Sequence, residues 1–198
     1  MIGDKEVGKK SLQLRLVHED APHISLIGTD FKCTTLRIDN YTIRLQLWDS
    51  SHESLYNLYL NLIRGAHGIF IVFDVTSAES FLSAKNWLSM TLQYCQMKAV
   101  IFLIGNKIDL HQQRKISTAE AEAFANHYKI QYFETSALDM TNIDQLLYIS
   151  TTAIIESFPT SIQHSKTKPT YFPKTSVMVF LLVVLVTIFV CLVGFYDK

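Results

Sequence analysis

Val100-Ile101-Phe102-Leu103-Ile104-Gly105-Asn106-Lys107-Ile108-Asp109-Leu110 is the stretch whose reading decides the fold. It opens as a continuous apolar run, long enough for a strand buried on both faces, and such strands belong to parallel sheets covered by helices. The run breaks at Gly105 into Asn106-Lys107-Ile108-Asp109. In open α/β sheets, ligands sit at the strand ends. A carboxylate just past a lysine at such an end is placed to read a flat heterocycle. Asp109 can accept parallel N–H bonds, as from the ring N1 and exocyclic N2 of guanine, while the stem of Lys107 lies against a base or sugar. The same residues also suit an ordinary strand-to-loop turn, and the rest of the chain decides between the readings.

Outward from this strand, the chain alternates strands with helices. Gly68-Ile69-Phe70-Ile71-Val72-Phe73-Asp74 is a second buried strand, and Gln131-Tyr132-Phe133-Glu134-Thr135 a short last one. Between them, residues 80–93 form an amphipathic helix with Phe81 and Trp87 inward, and Ser117-Thr118-Ala119-Glu120 has the capping-box pattern that opens a helix to Tyr128. Residues 142–155 close the domain as a helix. Upstream, residues 29–38 and 42–48 read as strands joined at the turn pair Asp39-Asn40, residues 55–64 have helical apolar spacing, and residues 21–29, with Pro22 and Gly28, read as a loop. The pattern predicts an α/β fold with a mostly parallel sheet and helices on both faces.

Gly3-Asp4-Lys5-Glu6-Val7-Gly8-Lys9 fits G-x-x-x-x-G-K. Such a loop aims backbone N–H groups at phosphate oxygens, its lysine reaches the outer phosphates, and the helix over residues 9–18 adds its positive N-terminal dipole. A hydroxyl for magnesium belongs at the next position; that position is Lys10, and Ser11 comes one place late. One residue turns a helical side chain by ~100°, so Ser11 does not simply substitute. Glu6 puts a carboxylate where phosphate oxygens crowd. The simpler alternative is a degenerate turn before a helix. Only Met1 and Ile2 precede the loop, where a buried central strand is expected. Either the chain is truncated or the sheet is incomplete, with a first strand nearly absent. Asp49, at the end of Arg44-Leu45-Gln46-Leu47-Trp48, either contacts magnesium through water or caps the following helix.

The 198 residues carry 18 basic and 18 acidic side chains, a balance that offers no basic excess for nucleic acid. Cys33, Cys95 and Cys191 are scattered, as expected of free thiols in a reducing compartment. The histidines show no metal spacing, and His67 reads as structural. Residues 175–196 hold no charge. As a helix they extend about 33 Å, enough for a hydrocarbon core of ~30 Å. Lys166, Lys168 and Lys174 flank this segment, and the positive-inside tendency puts them in the cytosol. The reading is a domain over residues 1–156, a Pro-containing linker over 157–174 and a transmembrane helix over 175–196: a single-pass, tail-anchored integral membrane protein with its large domain in the cytosol.

These stretches together carry a resemblance. Ile27-Gly28-Thr29-Asp30-Phe31-Lys32, Arg44-Leu45-Gln46-Leu47-Trp48-Asp49, Arg64-Gly65-Ala66-His67-Gly68, Phe73-Asp74-Val75-Thr76, Glu79-Ser80-Phe81, Gly105-Asn106-Lys107-Ile108-Asp109-Leu110 and Glu134-Thr135-Ser136-Ala137 follow one another in an order that resembles the Rab branch of Ras-like small GTPases. The resemblance implies the P-loop small-GTPase fold, a six-stranded sheet with five helices, GTP and GDP binding, and vesicle traffic through protein effectors and exchange factors. It implies that Asp109 reads guanine, Asn106 and Lys107 brace the loops, the N–H of Ala137, beside Ser136, meets the guanine O6, and Lys9 meets the β- and γ-phosphates.

The departures from the family pattern cluster in the hydrolytic half. Magnesium's phosphate-loop ligand is replaced by Lys10 and the switch threonine by Leu26. Asp49-Ser50-Ser51-His52-Glu53-Ser54 replaces D-T-A-G-Q-E, so that His52 or Glu53 stands at the glutamine position. Magnesium is therefore doubtful, and an ammonium from Lys10 in the ion's place predicts nucleotide binding that survives EDTA. Two functions fit. One is a membrane-anchored Rab-like protein that binds guanine nucleotide and hydrolyses it slowly or not at all. The other is a pseudo-GTPase that recruits partners at a membrane without nucleotide.

Overall fold

The computed structural model describes residues 1–17, 23–26, 29–38, 41–49, 56–95 and 99–158. Its elements run α1 (Lys9–Leu16), β1 (His23–Leu26), β2 (Thr29–Ile38), β3 (Tyr41–Asp49), α2 (Tyr56–Gly65), β4 (Gly68–Asp74), α3 (Ala78–Tyr94), β5 (Val100–Asn106), a 3₁₀ turn (Ile108–Gln113), α4 (Thr118–His127), β6 (Gln131–Thr135) and α5 (Ile143–Ser157). The strands form two sheets of three, antiparallel β1-β2-β3 and parallel β4-β5-β6.

Alternation along β4 divides the core. Ile69, Ile71 and Phe73 pack with Phe81, Ala84 and Leu88 of α3, whereas Phe70 and Val72 pack with Leu12 and Leu16 of α1 and Ile143, Leu146 and Leu147 of α5. Because both faces are covered, β4 and β5 read as unbroken apolar runs. Phe73 and Phe102 are fully buried, and truncating either to alanine removes ~3–5 kcal/mol of stability. Ser77 and Ser117 cap α3 and α4, each accepting an N–H through its hydroxyl, from Ser80 and Glu120 respectively, at 3.2 Å.

The expected loop over residues 21–29 is corrected by β1. Its backbone runs antiparallel to β2, from His23 opposite Lys32 to Leu26 opposite Thr29. Pro22 and Gly28 lie outside this strand in sequence, so neither breaks its ladder, and β1 covers the edge that β2 leaves open.

Among the described residues, the expected first strand is represented by Ile2 alone. The N–H of Ile2 donates to the Phe70 carbonyl at 2.9 Å, and its carbonyl accepts from Val72 N–H at 2.8 Å, a lone parallel bridge to Ile71. Beside it, the Met1 amine donates to the Trp48 carbonyl. Buried Gln13 of α1 adds a further tie, its side-chain amide donating to the Leu47 carbonyl at 2.8 Å.

Helix α5 continues to Ser157, and the Phe158 ring meets His67 edge-on at 4.9 Å. The expected linker from residue 159 onward and the expected membrane span at 175–196 lie outside the described residues. Among the described residues, no helix is long and apolar enough to cross a membrane.

Candidate functional site

Asp74, Asn106 and Thr135 stand in register at the carboxyl ends of β4, β5 and β6. This edge gathers the residues singled out in the sequence. Asn106 is 1% exposed, and its amide joins three segments. Its Nδ2 donates to the Val7 carbonyl at 2.9 Å, while its Oδ1 accepts from Ala137 N–H and from the Thr135 hydroxyl, each at 3.3 Å. Asn106 therefore holds the glycine loop of residues 3–9 against the loop that follows β6. Gly8 makes this approach possible: a Cβ there would run into Asn106 Nδ2, and its φ of 94° lies in the left-handed region. Gly3 is bound equally tightly, with φ 142° and no room for a Cβ against the Val72 carbonyl.

The base-reading residues are preset. The Ser136 hydroxyl donates to Asp109 Oδ1 at 2.6 Å and accepts from the N–H groups of Leu138 and Asp139 at 3.2 and 3.3 Å. One carboxylate oxygen of Asp109 is thus oriented by a rigid turn. Lys107 adopts a left-handed conformation, φ 70°, and its ammonium lies 2.7 Å from Asp74 Oδ2. Asp74 Oδ1 accepts from the N–H and hydroxyl of Thr76 at 2.8 and 2.7 Å. Burial pushes the Asp74 carboxyl up, but the hydrogen bonds from Lys107 and Thr76 outweigh it and hold the group below its usual value.

A cavity of about 760 Å³ opens here, lined by Gly8, Ser11, Leu14, Arg15, Asn106, Lys107, Asp109, Leu110, Ala137, Leu138 and Met140. It lies in the size range of small-molecule sites. Of the residues expected on phosphate, Gly8 and Ser11 line it. Exposed Lys10 does not, nor do Gly3, Asp4, Lys5, Glu6, Val7 and Lys9. Lys9 is 6% exposed, and its ammonium donates to the carbonyls of Gly3 and Asp4 at 2.8 and 2.5 Å. Glu6 sits at φ 61°, a left-handed turn made without glycine. Ala137 N–H, expected on the guanine O6, is directed at Asn106 here.

Asp49 is fully buried at the end of β3. It lies near enough to the Met1 amine for its charge to raise that group's proton affinity; burial works the other way and more strongly, and the amine falls to about 6. His52 and Glu53 lie outside the described residues.

Sequence reasoning missed several participants. Arg15 Nε donates to the Ala137 carbonyl at 3.0 Å, Trp87 Nε1 donates to Asp4 Oδ1 at 2.9 Å, and Asp74 pairs with Lys107. Two left a signal. Arg15 is four positions after Ser11 on one helix face, and Asp74 ends the strand beside the one that delivers Asn106. Trp87, read only as a core residue, left none.

Comparison with known proteins places this geometry in a lineage. A model of the Ras family matches residues 1–156. The chain is 41% identical over 157 residues to the Ras-related protein RABD2c of Arabidopsis thaliana, covering 78% of each. It is 40% identical over 172 residues to RABD2a of the same plant, covering 85% of each, and 42% identical over 148 residues to the GTP-binding protein YPTM2 of Zea mays, covering 73% of each.

Proposed function

Since the chain belongs to the Ras family, as a small GTPase of the Rab and Ypt type, we propose that it binds guanine nucleotide in the cavity beneath Asn106, hydrolyses it slowly or not at all, and works from a membrane in vesicle traffic. The observation that carries the reading is the Asn106 amide, which ties the glycine loop to the Ser136-Ala137 turn while Ser136 orients Asp109. In this reading, Asp109 takes the guanine N1 and N2 protons and Lys107 covers the ring. The N–H groups opening α1 at Gly8 receive phosphate. Lys9 then exchanges its bonds to the Gly3 and Asp4 carbonyls for phosphate oxygens. The nucleotide supplies the phosphoanhydride; this chain's residues bind and orient it.

Magnesium does not fit the residues present. The position of the ligating hydroxyl is Lys10, which faces solvent. The carboxylate nearby, Asp49, is buried within reach of the Met1 amine, and Lys9 acts on that amine too. Slow hydrolysis rests on this and on the absence of a glutamine among His52, Glu53 and their neighbours. The membrane part rests on the uncharged segment 175–196. Effectors and exchange factors are the partners that the family affiliation implies.

Lys9 bonded to its own loop also favours a second reading, a pseudo-GTPase that engages partners without nucleotide. Titrating the detergent-solubilised full chain with fluorescent GDP, GTP and ADP, with and without EDTA, separates the two. Saturable binding that prefers guanine and survives EDTA is expected; no binding by the folded chain would install the second reading.

A further inference from the structure

Basic side chains gather at the edge of the fold opposite the nucleotide cavity. β4, β5 and β6 run parallel, with Gly68 opposite Val100 and Phe102 opposite Gln131, so their amino ends share one edge. Arg64 and His67 come just before β4, and His127 and Lys129 just before β6. β3 begins at the same edge. Its last residue, Asp49, lies near the Met1 amine, as Lys9 of the glycine loop does, so its first residues point the other way. Arg44 accordingly shares one cavity wall with His67 and Phe158. Arg37 of β2 stands diagonal to Arg44, since Arg37 faces Thr42 and Thr35 faces Arg44. We propose that this edge is a docking face for an anionic bilayer. Arg37, Arg44, Arg64 and Lys129 meet the lipid headgroups, and the nucleotide cavity is held away from them. The inference rests on the membrane reading above for where chain and lipid meet, and its test separates the two.

What marks the edge is charge without counter-charge. Arg37, Arg44, Arg64 and Lys129 are exposed, and among the described residues no carboxylate pairs with any of them. Opposite-sign neighbours stabilise a ladder. Here the facing pairs beside the two strand arginines are Cys33 with Gln46, Thr35 with Arg44 and Arg37 with Thr42, and none includes a carboxylate. Glu156, near the end of α5, is an acid that shares the edge. Asp39 and Lys98, one charge of each sign, lie outside the described residues. Residues 1–158 hold 14 basic and 17 acidic side chains. An edge with four basic residues and Glu156 therefore leaves the remainder of the domain acidic. Such a separation is a dipole, and a negative surface draws its positive end inward.

The spread of the charges selects the occupant. Five strand spacings of ~4.8 Å separate β2 from β6, counting Ile2 between the sheets, so Arg37 and Lys129 stand about 24 Å apart. No single small anion reaches both, whereas a bilayer offers negative headgroups along the whole edge. Guanidinium groups suit it, because they are weakly hydrated and grip phosphate with two N–H groups at once. Helix α5 ends at this edge, with Ile154 over Gly68 and the Phe158 ring against His67. From Phe158 the sequence continues through Lys166, Lys168 and Lys174 to the uncharged segment 175–196.

The test reconstitutes the full chain into nanodiscs of phosphatidylcholine, either alone or mixed about 3:1 with phosphatidylserine. Phenylglyoxal modifies accessible guanidinium groups, and peptide mass spectrometry reads each site. Arg37, Arg44 and Arg64 are expected to react at least ~5-fold more slowly on the anionic discs, while Arg114, beyond the carboxyl end of β5, reacts alike on both. At ~1 M salt, where the screening length falls to ~3 Å, the protection is expected to vanish. In the double variant Arg37→Gln, Arg44→Gln, the protection of Arg64 is expected to be lost. Equal reaction on both lipids, protection that survives high salt, slowing of Arg114 in step with the others, or an unchanged Arg64 in the double variant would overturn the proposal. So would equal protection on phosphatidylcholine discs by soluble polyglutamate, which would assign the face to an acidic protein. Release of the chain from the discs by alkaline carbonate refutes the membrane span alone, and the docking is then decided by the same footprint with phosphatidylserine vesicles added to the released chain. The lipid and salt arms use the unaltered chain, so they decide the matter even if the double variant does not fold.

Discussion

Asn106 joins Val7, Thr135 and Ala137 through one buried amide. Replacing it with alanine strands the Val7 carbonyl and the Ala137 N–H in a region closed to water. At ~1 kcal/mol or more for each lost bond, Asn106→Ala is expected to cost about 2–3 kcal/mol and to lower Tm by about 4–12 °C. A calorimetric scan that shows no shift would remove Asn106 from its bracing role. Asp109→Ala removes an acceptor at the cavity rim and the bond from the Ser136 hydroxyl. Losing two charge-assisted bonds to the base is expected to weaken GDP binding by ~200–20,000-fold, with a small fall in Tm from the lost Ser136 bond. Titration calorimetry with GDP and ADP checks this; an equal loss for both nucleotides would mean that Asp109 does not read the base. These two residues were legible because asparagine, lysine and aspartate lie within four consecutive positions at a strand end. Trp87 was not, because its indole meets Asp4 across 83 positions and a core tryptophan and a bracing one look alike in sequence.

Strands and helices were mostly legible where one side of the element is clearly apolar. β4, β5 and β6 stand over the residues expected, and β2 and β3 pair antiparallel with Ile38 opposite Tyr41, while the expected turn pair Asp39-Asn40 lies outside the described residues. β1 was hidden because its four residues show no apolar excess and it forms by lending hydrogen bonds to an open edge. Gln13 was hidden because a glutamine on a short helix reads as surface, whereas here it reaches β3. Gln13→Leu leaves the Leu47 carbonyl without that donor and is expected to cost ~1–3 kcal/mol, read as an earlier urea midpoint at unchanged m-value. An unshifted midpoint would show that β3 is held without Gln13. A further tie fixes the start of α4 to β6. Arg114 grips both oxygens of Glu134 at 2.7 and 2.9 Å, and Thr118 and Tyr132 add hydroxyl bonds at 2.9 and 2.8 Å. Burial pushes Glu134 up, but these partners outweigh it and hold its carboxyl below the usual range. A carboxylate depressed in the fold stabilises above its unfolded pKa, and that stability is lost as pH falls through the folded value. The unaltered chain is therefore expected to lose ~1 kcal/mol more than Glu134→Gln on acidification below about pH 4, measured as Tm against pH. Parallel curves would dismiss the network as a source of acid sensitivity.

At the scale of the whole molecule, two three-stranded sheets meet at Ile2, and the Met1 amine reaches across to Trp48 on β3. That bond runs from one sheet's neighbour to the other sheet, so the state of the amine bears on how the two are joined. Burial lowers it from 8.0 to about 6, against the opposing charge of Asp49 and with a smaller contribution from Lys9. In the unfolded chain, the amine keeps its proton up to about pH 8; in the folded chain, only below about 6. Between these values, the unfolded state holds more protons, and stability rises with pH wherever that is so. The amine therefore contributes most above pH 8, and its contribution disappears as pH falls toward 6. At 1.36 kcal/mol per pKa unit, the change across this window is about 2–3 kcal/mol. The informative quantity is the difference between two chains. Acetylating the Met1 amine removes the titration and leaves every histidine in place. Urea midpoints from pH 6 to 8 are expected to rise more steeply for the free amine than for the acetylated chain. Equal slopes would mean that the amine at the junction keeps its ordinary pKa, and that the two halves are joined by Ile2 and Gln13 without its help.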